Sequence, residues 1–255
     1  LKYDLEEFCR SFNGLALERF PEARPRLGIG ASVIEERSDC IDDMVELADT
    51  ARKNLHGSST VSVAYFNPED FGKYQRVKEI ERDMGRALEK GEFKVYLQPK
   101  YDLETNKMVG AEALVRWIKE DGTMIYPDEF IPLFERNGFI RKLDFYMLEQ
   151  VCAMLRRRLK DGKRCLPISI NQSRILLDSE TYTTDVACVL NSYDTPPDLI
   201  ELELTERIFS DSLSEMAEMM EELKRIGIKW SIDDFGTGYS SLNLLKKLPV
   251  DVIKI

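Results

Sequence analysis

Apolar positions recur three and four residues apart across 3–20, placing Leu5, Phe8, Phe12 and Leu15 on one face of a predicted helix. The run "RLGIGASVI" (26–34) reads as a strand. "IDDMVELADTARKNL" (41–55) reads as a second amphipathic helix, with Asp42 and Asp43 suited to its first turn. "STVSVAYF" (59–66) alternates as a strand does. Residues 1–66 thus predict helix, strand, helix, strand, part of an α/β or α+β domain. The charged, helical stretch 67–92 reads as a connector into a further domain.

From residue 93 the texture changes. Strand-like runs recur: "KVYLQPKY" (94–101), "MVGAEALVRW" (108–117), "CLPISINQ" (165–172), "LIELELTE" (199–206), "KWSIDDFG" (229–236) and "VDVIKI" (250–255). Helices are predicted between the later ones. One covers 142–162, with Leu143, Met147, Val151 and Leu155 four apart. Another covers 212–227, with Ser212 or Ser214 as N-cap and Gly227 past its end. Strands and helices alternating at roughly thirty-residue intervals predict βα units and a mostly parallel sheet. Six such strands point to a barrel more than to an open sheet, a choice that spacing alone leaves open.

Each apolar run is followed by polar residues at its carboxyl end: Glu112 and Arg116, Asn171, Glu203 and Glu206, Asp233 and Asp234, Lys254. In a βα barrel these strand ends face one way and form the rim where chemistry is done. Plainer alternatives exist for individual positions. Glu112 pairs with Arg116 in a structural salt bridge, Asn171 satisfies backbone groups at a strand end, Lys254 guards a strand edge, and Glu201, on the same strand face as Glu203, is solvated or pins a loop. It is the repetition over five strands that favours a site.

Composition narrows its chemistry. The chain has 255 residues, 43% of them apolar, and a formal charge of −10. It carries no basic tract of the kind that binds a nucleic acid polymer. A phosphate-bearing substrate therefore needs a cation. The one histidine, His56, and five scattered cysteines (Cys9, Cys40, Cys152, Cys165, Cys188) exclude His triads, zinc sites and redox pairs. Oxygen ligands favour Mg²⁺, Mn²⁺ or Ca²⁺. Reduced thiols and the lack of an apolar run of about 18 residues point to a cytoplasmic location. The opening "LKYDLEEF" and the terminal strand "VDVIKI" read as a fragment of a longer protein, which segments before residue 1 would tether to a membrane if they carry an anchor.

The adjacent pair Asp233–Asp234 fits such a site. Neighbouring strand residues point to opposite faces, so both reach one point only where the strand ends, as Gly236 and Gly238 signal. Two adjacent carboxylates bridge a pair of cations about 4 Å apart, an arrangement suited to phosphodiester hydrolysis. Lys254 then orients the attacking water or screens developing charge, and Arg116 holds a phosphate. A barrel lyase with acids on metal and a lysine base also fits the carboxylates, but leaves "FGTGYSSL" (235–242) unexplained.

The motifs "LQP" (97–99), "EAL" (112–114), "ISIN" (168–171), "ELTE" (203–206), "DDFGTGYSSL" (233–242) and "KLPVDVIKI" (247–255) resemble the EAL family of cyclic di-GMP phosphodiesterases, over about residues 91–255. The resemblance implies a TIM-like (β/α)₈ barrel with an antiparallel first strand, here ending before its last strands. It also implies hydrolysis of cyclic di-GMP to pGpG with Mg²⁺ or Mn²⁺, in bacterial second-messenger signalling. It further implies Glu112, Asn171, Glu203 and Asp233 on one metal, Asp233 and Asp234 on a second, and Lys254 at the attacking water. Gln98, Leu114 and Arg116 would touch the ligand, and Glu206 would pin the loop after Asp234, through which family members dimerise. A second reading is an effector that binds cyclic di-GMP without cleaving it. "GIGASVI", "DDMVELADTA" and "VSVAYF" resemble the C-terminal part of a GGDEF (diguanylate cyclase) domain, whose defining loop is not in the sequence, so that cyclase activity is not expected. The domain expectation is thus 1–66 GGDEF-like, 67–92 connector, and 93–255 EAL barrel.

Overall fold

A computed structural model describes residues 2–22, 27–33, 40–53, 55, 63–67, 71–177, 179–205, 213–236 and 248–254. The chain divides into two compact units, Leu1–Ile80 and Glu81–Ile255.

The first unit contains α1 (Lys2–Arg19), β1 (Ile29–Ala31), α2 (Ile41–Lys53), β2 (Val63–Tyr65) and the start of α3 (Phe71–Glu89). β1 and β2 pair in parallel, Ile29 opposite Val63. Helix α2 lies directly on β1. A Cβ at Gly30 would come within 1.7 Å of the Ala48 carbonyl oxygen, so only glycine permits this approach. Cys9, Leu47, Ala51 and Val63 are buried here. Phe8, Phe12 and Leu15 of α1 are exposed, although they share the face that the sequence pattern marks as apolar. Periodicity sets the helix, not what covers it. Glu46 accepts hydrogen bonds from Tyr74 Oη and Lys78 Nζ, which holds its carboxyl below the usual range.

In the second unit, β3 (Phe93–Tyr101) runs antiparallel to β4 (Met108–Ile118), with Gln98 opposite Glu112. A short β5 (Met124–Ile125) pairs with β4 on the other side. The remaining strands are β6 (Ile168–Asn171), β7 (Ile200–Thr205), β8 (Lys229–Asp233) and β9 (Val252–Ile253). They continue from β4 in parallel, giving the order β3-β4-β6-β7-β8-β9. Helices α4 (Pro127–Asn137), α5 (Ile140–Lys160), α6 (Arg174–Leu177), α7 (Tyr182–Ser192) and α8 (Leu213–Arg225) lie between them.

Alternation gives this sheet two unlike faces. In "IELELT" of β7, Ile200, Leu202 and Leu204 fall on one side and Glu201, Glu203 and Thr205 on the other. The first set joins Ile168, Ile170, Trp230 and Ile232 in the buried core shared with the helices. The second set shares its face with Glu112, Ser169, Asn171, Ser231 and Asp233, which are opposite one another in register. That polar face is concave. Lys254, which follows β9, donates from Nζ to Glu112 Oε2 of β4 at 2.8 Å. Four strand steps separate β4 from β9, about 19 Å in a flat sheet, so the sheet must curl for the contact to form.

At the β3–β4 hairpin, Phe93, Trp117, Phe130 and Phe134 pack ring against ring with centroids 4.9–6.2 Å apart, all fully buried. Trp117 Nε1 donates to Glu92 at 2.9 Å, so its polar atom is satisfied. This cluster joins α4 to the hairpin that carries Gln98 and Glu112. Phe130→Ala should lower unfolding free energy by about 3–5 kcal/mol in urea titrations with little change in m-value. A loss under about 1 kcal/mol would show the cluster to be incidental.

Candidate metal centre

Each acid at the concave face stands on a different strand. Glu112 is midway along β4, Glu203 within β7, and Asp233 is the last residue of β8. One carboxylate oxygen from each lies within 4.8 Å of the others. Asn171, at the end of β6, donates from Nδ2 to Glu112 Oε1 at 3.1 Å. Lys254 Nζ bonds to Glu112 and Glu203 and lies 3.8 Å from Asp233. Its backbone is held on both sides: its N–H donates to Ile232 O at 2.8 Å and its carbonyl accepts from Phe235 N at 3.1 Å.

Glu203 is completely buried, and its Oε2 has no hydrogen-bond partner among the described residues. Burial, reinforced by the Asp233 and Glu112 carboxyls and opposed by Lys254, pushes its pKa up to about 7. Burial also acts on Asp233. There the neighbouring Glu203 carboxyl, the Asp234 N–H and the charges of Lys254 and Lys100 outweigh it, holding Asp233 below the usual range. Burial works against the Lys254 charge too, but Glu112 and Glu203 raise its pKa above the ordinary lysine value. The arrangement is thus three acids around one ammonium, with an unpartnered oxygen on the most buried acid. A hard dication fits it: the donors are all oxygen, and its charge would relieve the carboxylate repulsion that lifts Glu203.

Asp234 has φ of +56°, the left-handed region that an aspartate tolerates at a turn. The strand ends there, and Asp234 lines an adjoining cavity of about 610 Å³ together with Leu114, Arg116, Asn171 and Thr205. The Arg116 guanidinium sits 6.0 Å from the Tyr96 ring centre and donates to the Val115 carbonyl at 2.7 Å. It does not pair with Glu112, which binds Lys254 and Asn171 instead. Gln98 is exposed beside Glu112. Glu206 lies outside the described residues, as do 237–247 of the loop after Asp234. Glu201 departs from expectation. It is not solvated but buried, paired with Lys100 at 3.0 Å.

A family model described as the EAL domain matches residues 81–255. The chain belongs to the EAL family. It is 36% identical over 169 residues to the signaling protein YkoW of Bacillus subtilis, covering 66% of this chain and 21% of that one. To the probable cyclic di-GMP phosphodiesterase PdeB of Escherichia coli it is 36% identical over 181 residues, 71% of this chain and 35% of that one. A solved PaMucR phosphodiesterase in complex with c-di-GMP superposes with a TM-score of 0.65 at 33% identity, covering 69% of this chain and 72% of that chain. These neighbours give the EAL unit a TIM-like barrel fold. The chain thus spans well under half the length of each of these two curated relatives. No described helix is long and apolar enough to cross a membrane.

The EAL unit also holds a polar network that the strand-end pattern does not reveal. Asp144 of α5 is buried and accepts the Ser173 N–H at 2.9 Å. Tyr182 Oη donates to Gln172 Oε1 at 2.8 Å, and Gln172 Nε2 donates to the Asn171 carbonyl at 2.8 Å. The turn after β6, and with it Asn171, is thereby fixed from the helix layer. One signal for Asp144 does exist in the sequence. It falls on the stripe with Leu148, Val151 and Leu155, where an acid is out of place.

Two pH effects are expected. A dication held by this cluster would need Glu203 ionised, so Mn²⁺ affinity should rise with pH through about 7. Below that, a competing proton weakens it about tenfold per pH unit. Calorimetry in buffers of different ionisation enthalpy should detect about one proton released at pH 6 and fewer at pH 8; equal release at both would contradict the assignment. Burial, with a smaller push from Glu135 and against the Ser173 bonds, lifts Asp144 to about 7. An unfolded aspartate ionises near about 3.9, so this group's contribution to stability is complete below that pH and is lost as pH rises through 7. Asp144→Asn keeps an acceptor for Ser173 and should flatten that slope in urea melts between pH 4.5 and 7.5; a slope as steep as in the parent would contradict it.

Proposed function

We propose that the EAL unit is a metal-dependent phosphodiesterase that opens cyclic di-GMP to linear pGpG, in second-messenger signalling. The observation that carries this reading is the convergence of Glu112, Glu203 and Asp233 around Lys254, with Asn171 beside them. EAL relatives named as cyclic di-GMP phosphodiesterases, and a neighbour solved with c-di-GMP, support the substrate.

In this reading Glu112, Asn171, Glu203 and Asp233 hold one Mg²⁺ or Mn²⁺, and Asp233 with Asp234 holds a second. When bound, such ions supply Lewis acidity at the phosphate and make water acidic near neutral pH. The chain's own residues do the rest. Gln98, Leu114 and Arg116 seat the ligand in the cavity, the guanidinium meeting a phosphate as a planar double donor. Lys254, kept cationic by its acids, donates to the attacking water and fixes its approach. Water adds to phosphorus, one P–O ester bond breaks, and the ribose oxygen leaves with a proton. In this reading the EAL unit acts as a homodimer. Residues 1–66 read as the C-terminal part of a GGDEF-like domain in a regulatory role. Support comes from the parallel β1–β2 pair under α2 and from a 29% match over 92% of this chain to a bifunctional diguanylate cyclase/cyclic di-GMP phosphodiesterase, MucR of Pseudomonas aeruginosa.

Full-length protein with Mn²⁺ should convert cyclic di-GMP to pGpG, followed by chromatography, and Lys254→Met should lower kcat about 10²–10⁴-fold with KM changed far less. Tight binding of cyclic di-GMP without turnover under any divalent ion would overturn catalysis and leave a binding effector.

A further inference from the structure

Lys100 and Glu201 form a second ion pair on the concave face, 3.0 Å apart. Lys100 is on β3 and Glu201 on β7, three strand steps away, about 14 Å in a flat sheet, so this contact also exists only because the sheet curls. Ser169 of β6, in register with both Glu112 and Glu201, is small enough to leave the path open.

Glu201 and Glu203 share a strand face, two residues or about 6.6 Å apart. Both are buried. The buried hydroxyls of Ser169 and Ser231 stand opposite Glu201 and Glu203 and have no hydrogen-bond partner among the described residues. Glu201 meets Lys100 of β3 at 3.0 Å, while Lys229 of β8, opposite it in register, is exposed.

We propose that Lys100 is a positioning residue: by claiming Glu201, it keeps a fourth interior carboxylate away from the cation and confines that ion to Glu112, Asn171, Glu203 and Asp233. The proposal rests on the metal-site reading above. It assigns Lys100 no contact with substrate. Its effect is to restrict the ligand set, because each added carboxylate both tightens a hard dication and moves it.

Calorimetric titration of full-length protein with Mn²⁺ at pH 8 tests it, comparing the parent with Lys100→Met and with Lys100→Met/Glu201→Gln. Lys100→Met should bind Mn²⁺ about tenfold more tightly while turnover of cyclic di-GMP falls. The double variant should return the affinity to within about twofold of the parent. A merely structural role for the pair would weaken binding instead. Unchanged or weakened binding in Lys100→Met, or tightening that persists in the double variant, overturns the proposal. Should Lys100→Met not fold, Lys100→Gln takes its place, with the same outcomes read. A parent that binds no Mn²⁺ defeats the metal-site reading and this proposal together, whereas a parent that binds and a lysine variant that binds identically defeats this proposal alone.

Discussion

Lys254 can touch Glu112 only because the sheet between them curls. Strand twist supplies the tendency to coil, and the two unlike faces supply a direction. Ile, Leu and Trp side chains on the convex side pack under helices, while the concave side carries Glu, Asp, Lys, Ser and Asn. A flat sheet would leave those polar groups exposed on one side and gain nothing from their order along the chain. Curled, it sets acids from β4, β7 and β8 against a lysine that follows β9. Every feature of the centre depends on that curvature, including the shift on Glu203.

The electrostatics of the concave face are those of a cluster short of positive charge. Glu112, Glu201 and Glu203 share two interior cations, Lys100 and Lys254, through contacts of hydrogen-bond length, and Asp233 lies 3.8 Å from Lys254. Burial without full compensation raises an acid's pKa, and Glu203, the most buried of the four, is lifted to about 7. Nothing in fold stability requires such an arrangement, since apolar residues of similar size pack a barrel interior at less cost. The cluster is understandable as a site that a dication would complete, its charge offsetting the carboxylate repulsion that lifts Glu203.

Much of this was legible in the sequence because strands have a period of two. "IELELT" states which residues meet the helices and which face inward, and "SIDDFG" states where its strand ends. Register and curvature are not written that way. No local pattern pairs Lys100 with Glu201 or Lys254 with Glu112, contacts separated by 101 and 142 residues. Reading Glu201 as solvated failed for this reason: alternation gave its face but not its partner. The two-residue β5 and the short helix α6 lack the length for periodicity to show. Helix α1 shows the complementary failure, an apolar stripe whose period is plain while Phe8, Phe12 and Leu15 remain exposed.

The turn after β6 shows how the helix layer enters the chemistry without supplying a side chain to it. Asn171 stands at the end of a four-residue strand, too short to hold its own end rigid. Its carbonyl is bonded by Gln172, the Gln172 N–H is taken by the Glu203 carbonyl at 2.9 Å, and the Ser173 N–H is taken by Asp144 from α5. Three consecutive residues are thus fixed by bonds to β7, to α5 and to Tyr182 of α7. Burying Asp144 opposes folding at neutral pH, and an apolar residue on that stripe of α5 would pack without the cost. What the carboxyl supplies in return is an acceptor aimed at one backbone N–H, and through it the placement of an amide that reaches Glu112 at 3.1 Å. Stability is given up in the helix layer to hold geometry on the concave face, and the same exchange accounts for the acids of that face.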